Sequence, residues 1–395
     1  MIEAVFKGGK KYWTLVGVLF IIIGVGFLAY LRQLDLGLSV TGLSRDVSWG
    51  LYIANFTFFV GVAASAVMLV IPYYLHNEKA FRKIIILGEF LAVAAVVVCI
   101  TFIVVDLGQP SRVFNIFLYP SPTSILFWDT VVLSGYLLLN IIIGWVTLDA
   151  DSKELPPPAW IKPVIILSIP WAISIHTVTA FIYAGLAARP FWMTALLAPR
   201  FLASAFASGP ALLILLALLL RRFAGFDPGK DSLDKVAKIV AYGIIATVFF
   251  LVLEIFTVFY SQEPEGMAHF QYLFFGLDGH SGLVPWMWTS VTLAIAAIVL
   301  LLLPSARKNT AILASACAAV FISVWIDKGL GLIVPGFIPN PLGEVYEYVP
   351  TLNEALIVLG VWAMGGLILT LLYKVVLGVR YAKRVDQSPG TNTDV

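Results

Sequence analysis

Inside a long apolar stretch, residues 163–201 (PVIILSIPWAISIHTVTAFIYAGLAARPFWMTALLAPRF), three polar side chains fall at helical spacing. His176, Thr179 and Tyr183 stand at i, i+3 and i+7, which puts an imidazole and two hydroxyls on one face of a helix. An apolar run of roughly twenty residues crosses a bilayer. An ionisable side chain at that depth is costly unless it faces the protein interior, so His176 is a functional candidate by default. A neutral imidazole both accepts and donates, and can pass a proton without holding a buried charge. The alternative is a packing histidine bonded to a neighbouring helix. His176 is expected about 12 residues, or roughly 18 Å, below the outer end of its span. Pro170 removes a backbone donor and is expected to bend the helix. Arg189-Pro190-Phe191-Trp192 closes the stretch as an expected interfacial anchor.

Other apolar stretches carry polar rows. Asp129, Tyr136, Asn140 and Thr147 align within about 20° of one another on a helix. Thr247, Glu254 and Ser261 recur at intervals of seven. Ser315, Ser323 and Asp327 are expected to share a face, with Lys328 beside Asp327. Glu89 stands more than a turn inside its span. A chain of protonatable groups is what a proton relay requires. Polar side chains also hold membrane helices together without further function. Glu89, Asp129, Tyr136, Glu254, Asp327 and Lys328 are the candidates for proton handling.

A third cluster opens another span at Trp49-Gly50-Leu51-Tyr52-Ile53-Ala54-Asn55. Tyr52 and Asn55 are i, i+3 neighbours whose hydroxyl and carboxamide suit the carbonyl oxygens of a quinone head group, with Trp49 as an aromatic wall. Trp49 and Tyr52 also fit the belt of aromatics at a membrane surface.

Several chemistries find no residues. A membrane b-type haem needs two facing axial histidines, and only His176 lies at membrane depth; His76, His269 and His280 fall in loops. Cys99 and Cys317 offer neither a CxxC nor an iron–sulfur ligand set. There is no Walker motif and no metal-spaced cluster. No haem, iron–sulfur cluster or metal is expected in this chain.

The elements that must hold these residues follow from composition. Of 395 residues, 60% are hydrophobic and 12% charged, with a mean hydropathy of +0.95. A soluble protein this apolar could not cover its surface, so the fold class is an all-α polytopic membrane protein. Ten spans are expected near 12–31, 50–75, 84–105, 124–147, 163–188, 202–220, 236–260, 286–303, 311–333 and 353–377. The first follows Lys7, Lys10 and Lys11, lacks a convincing cleavage site and is expected to be retained. The last residues, 386–395, are polar and expected to be disordered. Lysine and arginine divide 19 to 6 between the two faces, which puts both termini in the cytoplasm. The outer loops carry Glu263, Glu265, Asp278, Glu344 and Glu347, and are expected to face a partner. Nothing points to nucleic acid.

Several motifs together resemble the NrfD / polysulfide-reductase membrane subunits. They are Trp49-Gly50 with Phe58-Phe59-Val60-Gly61-Val62-Ala63-Ala64, Asp106-Leu107-Gly108-Gln109-Pro110-Ser111-Arg112, Ser121-Pro122-Thr123-Ser124 and Arg189-Pro190-Phe191-Trp192. The similarity covers nearly the whole chain, and the Asp-Leu-Gly-x-Pro-x-Arg run is its most specific part. Ten spans and His176-Thr177-Val178-Thr179-Ala180-Phe181 look closest to the membrane subunit of the DsrMKJOP complex of dissimilatory sulfur metabolism, with similar subunits of the Hmc, Qrc and alternative complex III types as the alternatives. The resemblance implies two four-helix bundles, spans 2–5 and 6–9, flanked by spans 1 and 10. It implies a menaquinone site in the first bundle near the outer face, and a docked extracytoplasmic ferredoxin-like iron–sulfur protein. It further implies other membrane and cytochrome subunits. Asp129 departs from the pattern, in which a small residue often follows the tryptophan.

The expected organisation is therefore a first helix and outer loop (1–49), an N-terminal bundle with the quinone site (50–188), a C-terminal bundle (189–333), and a last helix with a cytoplasmic tail (334–395). The expected function is a multi-pass subunit of the cytoplasmic membrane that exchanges electrons between menaquinone and its partner in anaerobic respiration. Sulfate reduction and proton translocation are the finer expectations. Trp49, Tyr52, Asn55, Asp106, His176 and Tyr183 are the head-group candidates. A secondary transporter with a mid-membrane site is the alternative from another class; it would want paired helix breaks, and Pro170 has no clear counterpart in the second half. A structural anchor is the third reading.

Overall fold

The computed structural model describes residues 2–76 and 78–386. Among the described residues, ten helices are long and apolar enough to cross a membrane. In hydrocarbon every backbone N–H and C=O must be paired within the chain, and an uninterrupted helix does this locally. The helices are α1 Lys10–Leu36, α2 Leu51–Ala63, α3 Ile85–Asp106, α4 Ile125–Ser152 and α5 Ile161–Ala184. The second half has α6 Leu197–Ala224, α7 Lys230–Tyr260, α8 Val284–Leu302, α9 Thr310–Val324 and α10 Leu352–Asp386. Among the described residues the only β-type pairing is an isolated bridge between Leu277 and His280. The protein is a multi-pass, all-helical membrane protein.

Two spans change pitch. The span of α2 continues to Tyr74 through Val67–Val70 and a wide turn, Ile71–Leu75, at Pro72. The span of α9 continues through a second wide turn, Trp325–Leu330. Such turns insert a residue into the helical repeat and re-aim the side chains after it. α5 runs on through Pro170, and α6 contains Pro210 in the same way, so the second half has a helix proline after all.

Helices α2 to α5 pack in sequence, α2 on α3, α3 on α4, α4 on α5, with α5 returning to α2. Helices α6 to α9 close a second ring by the same rule. The two rings meet where α2 lies against α6 and against the wide turn after α9. Every residue of α2 is buried, which is why Leu51–Ala63 is apolar all round. Outside the rings, α1 pairs with α10, and α10 packs on α3. α1 and α10 approach backbone to backbone: a Cβ on Gly26 would lie 2.6 Å from the Gly360 Cα.

Several boundaries differ from the sequence reading. α6 begins at Leu197, not 202, which moves Arg200 from a loop into a helix. α5 ends at Ala184, not 188. Asp386 still belongs to α10; the polar tail from 387 lies outside the described residues. Ser261 and Ser315 are exposed, so two of the three polar rows are shorter than expected. Ser315 lies about 80° around the helix from Ser323 by the 100° repeat, too far for one face. The row Asp129, Tyr136, Asn140, Thr147 is buried throughout.

Candidate functional site

The first ring holds polar side chains with few partners. His176, Thr179 and Tyr183 all turn inward from α5. Thr179 Oγ1 donates to Asp129 Oδ1 across the α4–α5 seam at 2.7 Å. His176 lies a turn deeper, 1% exposed, and neither ring nitrogen has a hydrogen-bond partner. Because α5 stops at Ala184, His176 sits only eight residues from the helix end, about 12 Å by helical rise rather than 18. Tyr183, at the top of the row, has its hydroxyl 2.5 Å from Thr57 Oγ1. Thr57 donates its own proton to the Ile53 carbonyl at 2.8 Å, so Tyr183 is the donor of that pair.

Above this row stands a wall of rings. Trp49 stacks on Trp192 with centroids 5.8 Å apart. Tyr183 and Phe337 meet Trp49 edge-on. Tyr183 also touches Phe201. Trp192 is fully buried, and its indole N–H donates to the Leu332 carbonyl at 2.8 Å. The expected interfacial anchor, Arg189–Trp192, does not form as such: the tryptophan folds inward onto the end of the α9 span, which offers both the Phe337 ring and the Leu332 carbonyl. Arg189 lies over Phe337, 4.4 Å from the ring centroid.

Two of the other head-group candidates, Tyr52 and Asn55, are bonded within the protein. Tyr52 donates to Gln33 Oε1 at 2.7 Å, and Gln33 Nε2 donates to the Val105 carbonyl at 2.6 Å. Asn55 Oδ1 accepts from the indoles of Trp325 (3.1 Å) and Trp362 (2.9 Å), while its amide donates to Leu51. Asp106, half-buried at the end of α3, keeps one oxygen buried without a partner. Deeper in the ring, both Glu89 oxygens lack partners. Glu89 lies against α4 at Gly144.

The second ring is organised differently. Arg200 Nη1 reaches Glu254 Oε2 at 2.5 Å and its Nη2 reaches Asp327 Oδ1 at 2.7 Å. All three side chains are buried. Asp327 thus pairs with Arg200 and not with its neighbour Lys328, because the wide turn sends the two side chains apart. Lys328, also buried, donates to the Phe201 carbonyl at 3.3 Å and lies 4.3 Å over the Phe201 ring. It points to the junction of the rings: a Cβ on Gly61 would sit 3.2 Å from Lys328 Nζ and 3.3 Å from Ser208 Oγ. Lys328 is therefore the side chain that stands between the two polar centres. Among the described residues no group of His, Cys, Asp or Glu could hold a metal ion.

The loops over this face are tied down. Glu354, fully buried at the start of α10, accepts from Tyr348 (2.6 Å), Gly42 N (2.7 Å) and Thr351 N (2.8 Å). Burial and the Glu354 charge push the Tyr348 phenol up from its ordinary value. His269 Nδ1 donates to the Pro335 (2.8 Å) and Ile338 (2.7 Å) carbonyls. Burial holds its imidazole below the ordinary histidine value.

The family model described as "Polysulphide reductase, NrfD" matches residues 39–337. The chain belongs to the NrfD polysulphide reductase family. Three relatives share this length. The Archaeoglobus fulgidus protein named Hdr-like menaquinol oxidoreductase integral membrane subunit is 26% identical, covering 90% of each chain. A putative membrane subunit of dimethyl sulfoxide reductase from Halobacterium salinarum is 26% identical, over 93% of this chain and 90% of the relative. The menaquinone reductase integral membrane subunit of Nitratidesulfovibrio vulgaris is 22% identical, over 92% and 91%. All three are named as membrane subunits. The matched region holds every residue of both polar centres, while Trp362 and Glu354 of α10 lie beyond it.

Sequence reasoning on this NrfD-family subunit passes over Arg200, Glu354 and Gln33. It places Arg200 in a loop, although Glu254 and Asp327 need a cation. Two intramembrane carboxylates without one are the signal that could have found it.

Proposed function

We propose that the chain is the quinone-interacting membrane subunit of a respiratory redox complex. It would exchange electrons between menaquinol or menaquinone and an iron–sulfur protein docked on the face that holds loops 37–50, 185–196 and 338–351. The observation that carries this reading is His176: a buried imidazole, both nitrogens free, beneath a wall formed by Trp49, Tyr183 and Trp192. An aromatic wall with a few convergent polar groups suits a planar head group. Oxidising a quinol releases two electrons and two protons. We assign to His176 the taking of a proton; the Asp129–Thr179 pair stands one turn above it. Tyr52 and Asn55, whose polar atoms are bonded internally, and Asp106 are the further residues we assign to the head-group region. Glu89, Asp129, Tyr136, Glu254, Asp327 and Lys328 are the groups we assign to proton handling, including any translocation. The names of the relatives from Archaeoglobus and Nitratidesulfovibrio support a quinone. A place in dissimilatory sulfur metabolism is the finer form of the proposal.

Orientation follows from charge. Arg200 and Lys328 are buried side chains and not loop charges. The outer face then keeps only Arg32, Arg45, Arg112 and Arg189 of its six, against 19 on the other face. Both termini are thereby cytoplasmic and the aromatic wall lies on the outer side.

The test is quinol turnover by the purified complex with His176→Leu. Loss of a positioned proton acceptor should slow turnover about a hundredfold, with the complex still assembled and a quinone analogue still bound. Full turnover by the assembled variant sinks the site assignment. No bound quinone and no quinol activity in the wild-type complex sinks the function.

A further inference from the structure

A groove of about 350 Å³ opens on the second ring, between α7 and α8. Leu251 and Ile255 of α7 and Val291 and Ala294 of α8 form its walls, and Phe270 and Phe274 roof it. Its mouth is rimmed by Val252, Ile295 and Trp288, which are exposed apolar side chains on membrane spans and so face lipid. Four polar residues reach the floor: Thr247, Ser290, Ser323 and Asp327. Three of them are satisfied. Thr247 donates to the Gly243 carbonyl at 2.9 Å. Ser290 and Ser323 donate to each other's carbonyls at 2.8 and 2.9 Å. Asp327 gives one oxygen to Arg200, and its other oxygen receives no donor from the described residues.

We propose that this groove is a second binding site, for the hydroquinone form of an isoprenoid quinone, with a ring hydroxyl donating to Asp327 and the tail leaving between α7 and α8. The proposal rests on the reading that the chain works on a quinone. It adds a site in the other ring, away from His176 and the Trp49 wall.

Three features select this occupant. The volume lies within the range of small-molecule sites, about 300–1,000 Å³. It equals the space of about a dozen waters, yet one free acceptor and apolar walls give that much water too few partners. Asp327 lies ten residues before Phe337, where its span ends, about 15 Å below the surface by helical rise. A phospholipid head group does not reach that depth, and its phosphate would meet a carboxylate. An acyl chain fills apolar walls but offers Asp327 no proton. A hydroquinone is neutral, carries two hydroxyl donors and has an apolar tail.

The experiment uses the purified complex in nanodiscs under reducing conditions. An azido-naphthohydroquinone with a short isoprenoid tail is photolysed and its adducts are mapped by mass spectrometry. Adducts are expected within residues 244–259 and 288–295, and separately around Trp49 and His176. Val291→Trp, which fills the groove from the lipid side, should abolish the first set and leave the second. Asp327→Asn should cut labelling in the groove about tenfold or more, the worth of a hydrogen bond to a charged group. Val291→Trp supplies the decisive comparison if Asp327→Asn fails to assemble. Adducts only in the first ring overturn this inference and leave the proposed function standing. Adducts in neither ring overturn both. A photoreactive acyl-chain phospholipid that labels the groove, and that excess hydroquinone fails to displace, also overturns it and makes the groove a lipid seat.

Discussion

The two rings of helices bury similar kinds of side chain and treat them in opposite ways. The second ring pairs three of its charges: Arg200 stands between Glu254 and Asp327, one oxygen of each bonded to it, and the three form one unit, with Lys328 outside it. The first ring leaves its groups unmatched: among the described residues His176 and Glu89 have no hydrogen-bond partner, and Asp129 has only the Thr179 hydroxyl. A compensated cluster is a structural asset that is costly to break. An unmatched buried group gives the fold nothing and is retained for something else. The difference teaches that burial alone does not mark a working residue; an ionisable side chain buried with none of its polar atoms bonded, as His176 and Glu89 are among the described residues, is the stronger candidate. Lys328 joins the two, since it belongs to the second ring by sequence and reaches the first in space.

The largest effect that can break this comparison is on stability in the second ring. Arg200→Leu strands two buried carboxylates and should cost about 3–5 kcal/mol, read as a lowered unfolding midpoint or lost assembly. Replacing Arg200, Glu254 and Asp327 together with apolar residues should recover most of that loss. If the single variant is as stable as the parent, the cluster is not a unit.

Next is Asn55→Leu, which leaves the Trp325 and Trp362 indoles without their shared acceptor. It should cost about 1–3 kcal/mol, measured in the same unfolding assay. A loss of quinone binding with unchanged stability would instead return Asn55 to the head-group site.

His176→Leu should stay within about 1 kcal/mol of the parent, because no hydrogen bond is lost. A stability loss as large as that of Arg200→Leu would mean that His176 is a packing residue. The rings would then differ less than their hydrogen bonding implies.

The smallest effect lies in the loops that cover both rings. His269 is held below its ordinary value of 6.5 by burial. The unfolded chain therefore binds the extra proton first, and the contribution of this histidine is lost as pH falls through and below 6.5. Between about pH 7 and about pH 5 the unfolding midpoint should fall less steeply for His269→Gln than for the parent. Equal slopes would show that the imidazole charges without penalty.

By itself the sequence determined the ten spans, the inward face of His176, Thr179 and Tyr183, and the buried row from Asp129 to Thr147. Each of these is local. Hydropathy over about twenty residues and the 100° helical repeat are properties of one segment and need no partner to be read. Tertiary structure decided which of those side chains are spent on the fold. Arg200 finds Glu254 and Asp327 across 54 and 127 residues, and Asn55 finds its two indoles across 270 and 307. Segment patterns carry no information about such distances. The wide turn at Trp325–Leu330 adds a further displacement, for it rotates Asp327 and Lys328 away from where a regular helix would point them. The groove between α7 and α8 was out of reach for the same reason: it is a gap between two helices, and no residue of either spells out the space that its neighbour leaves.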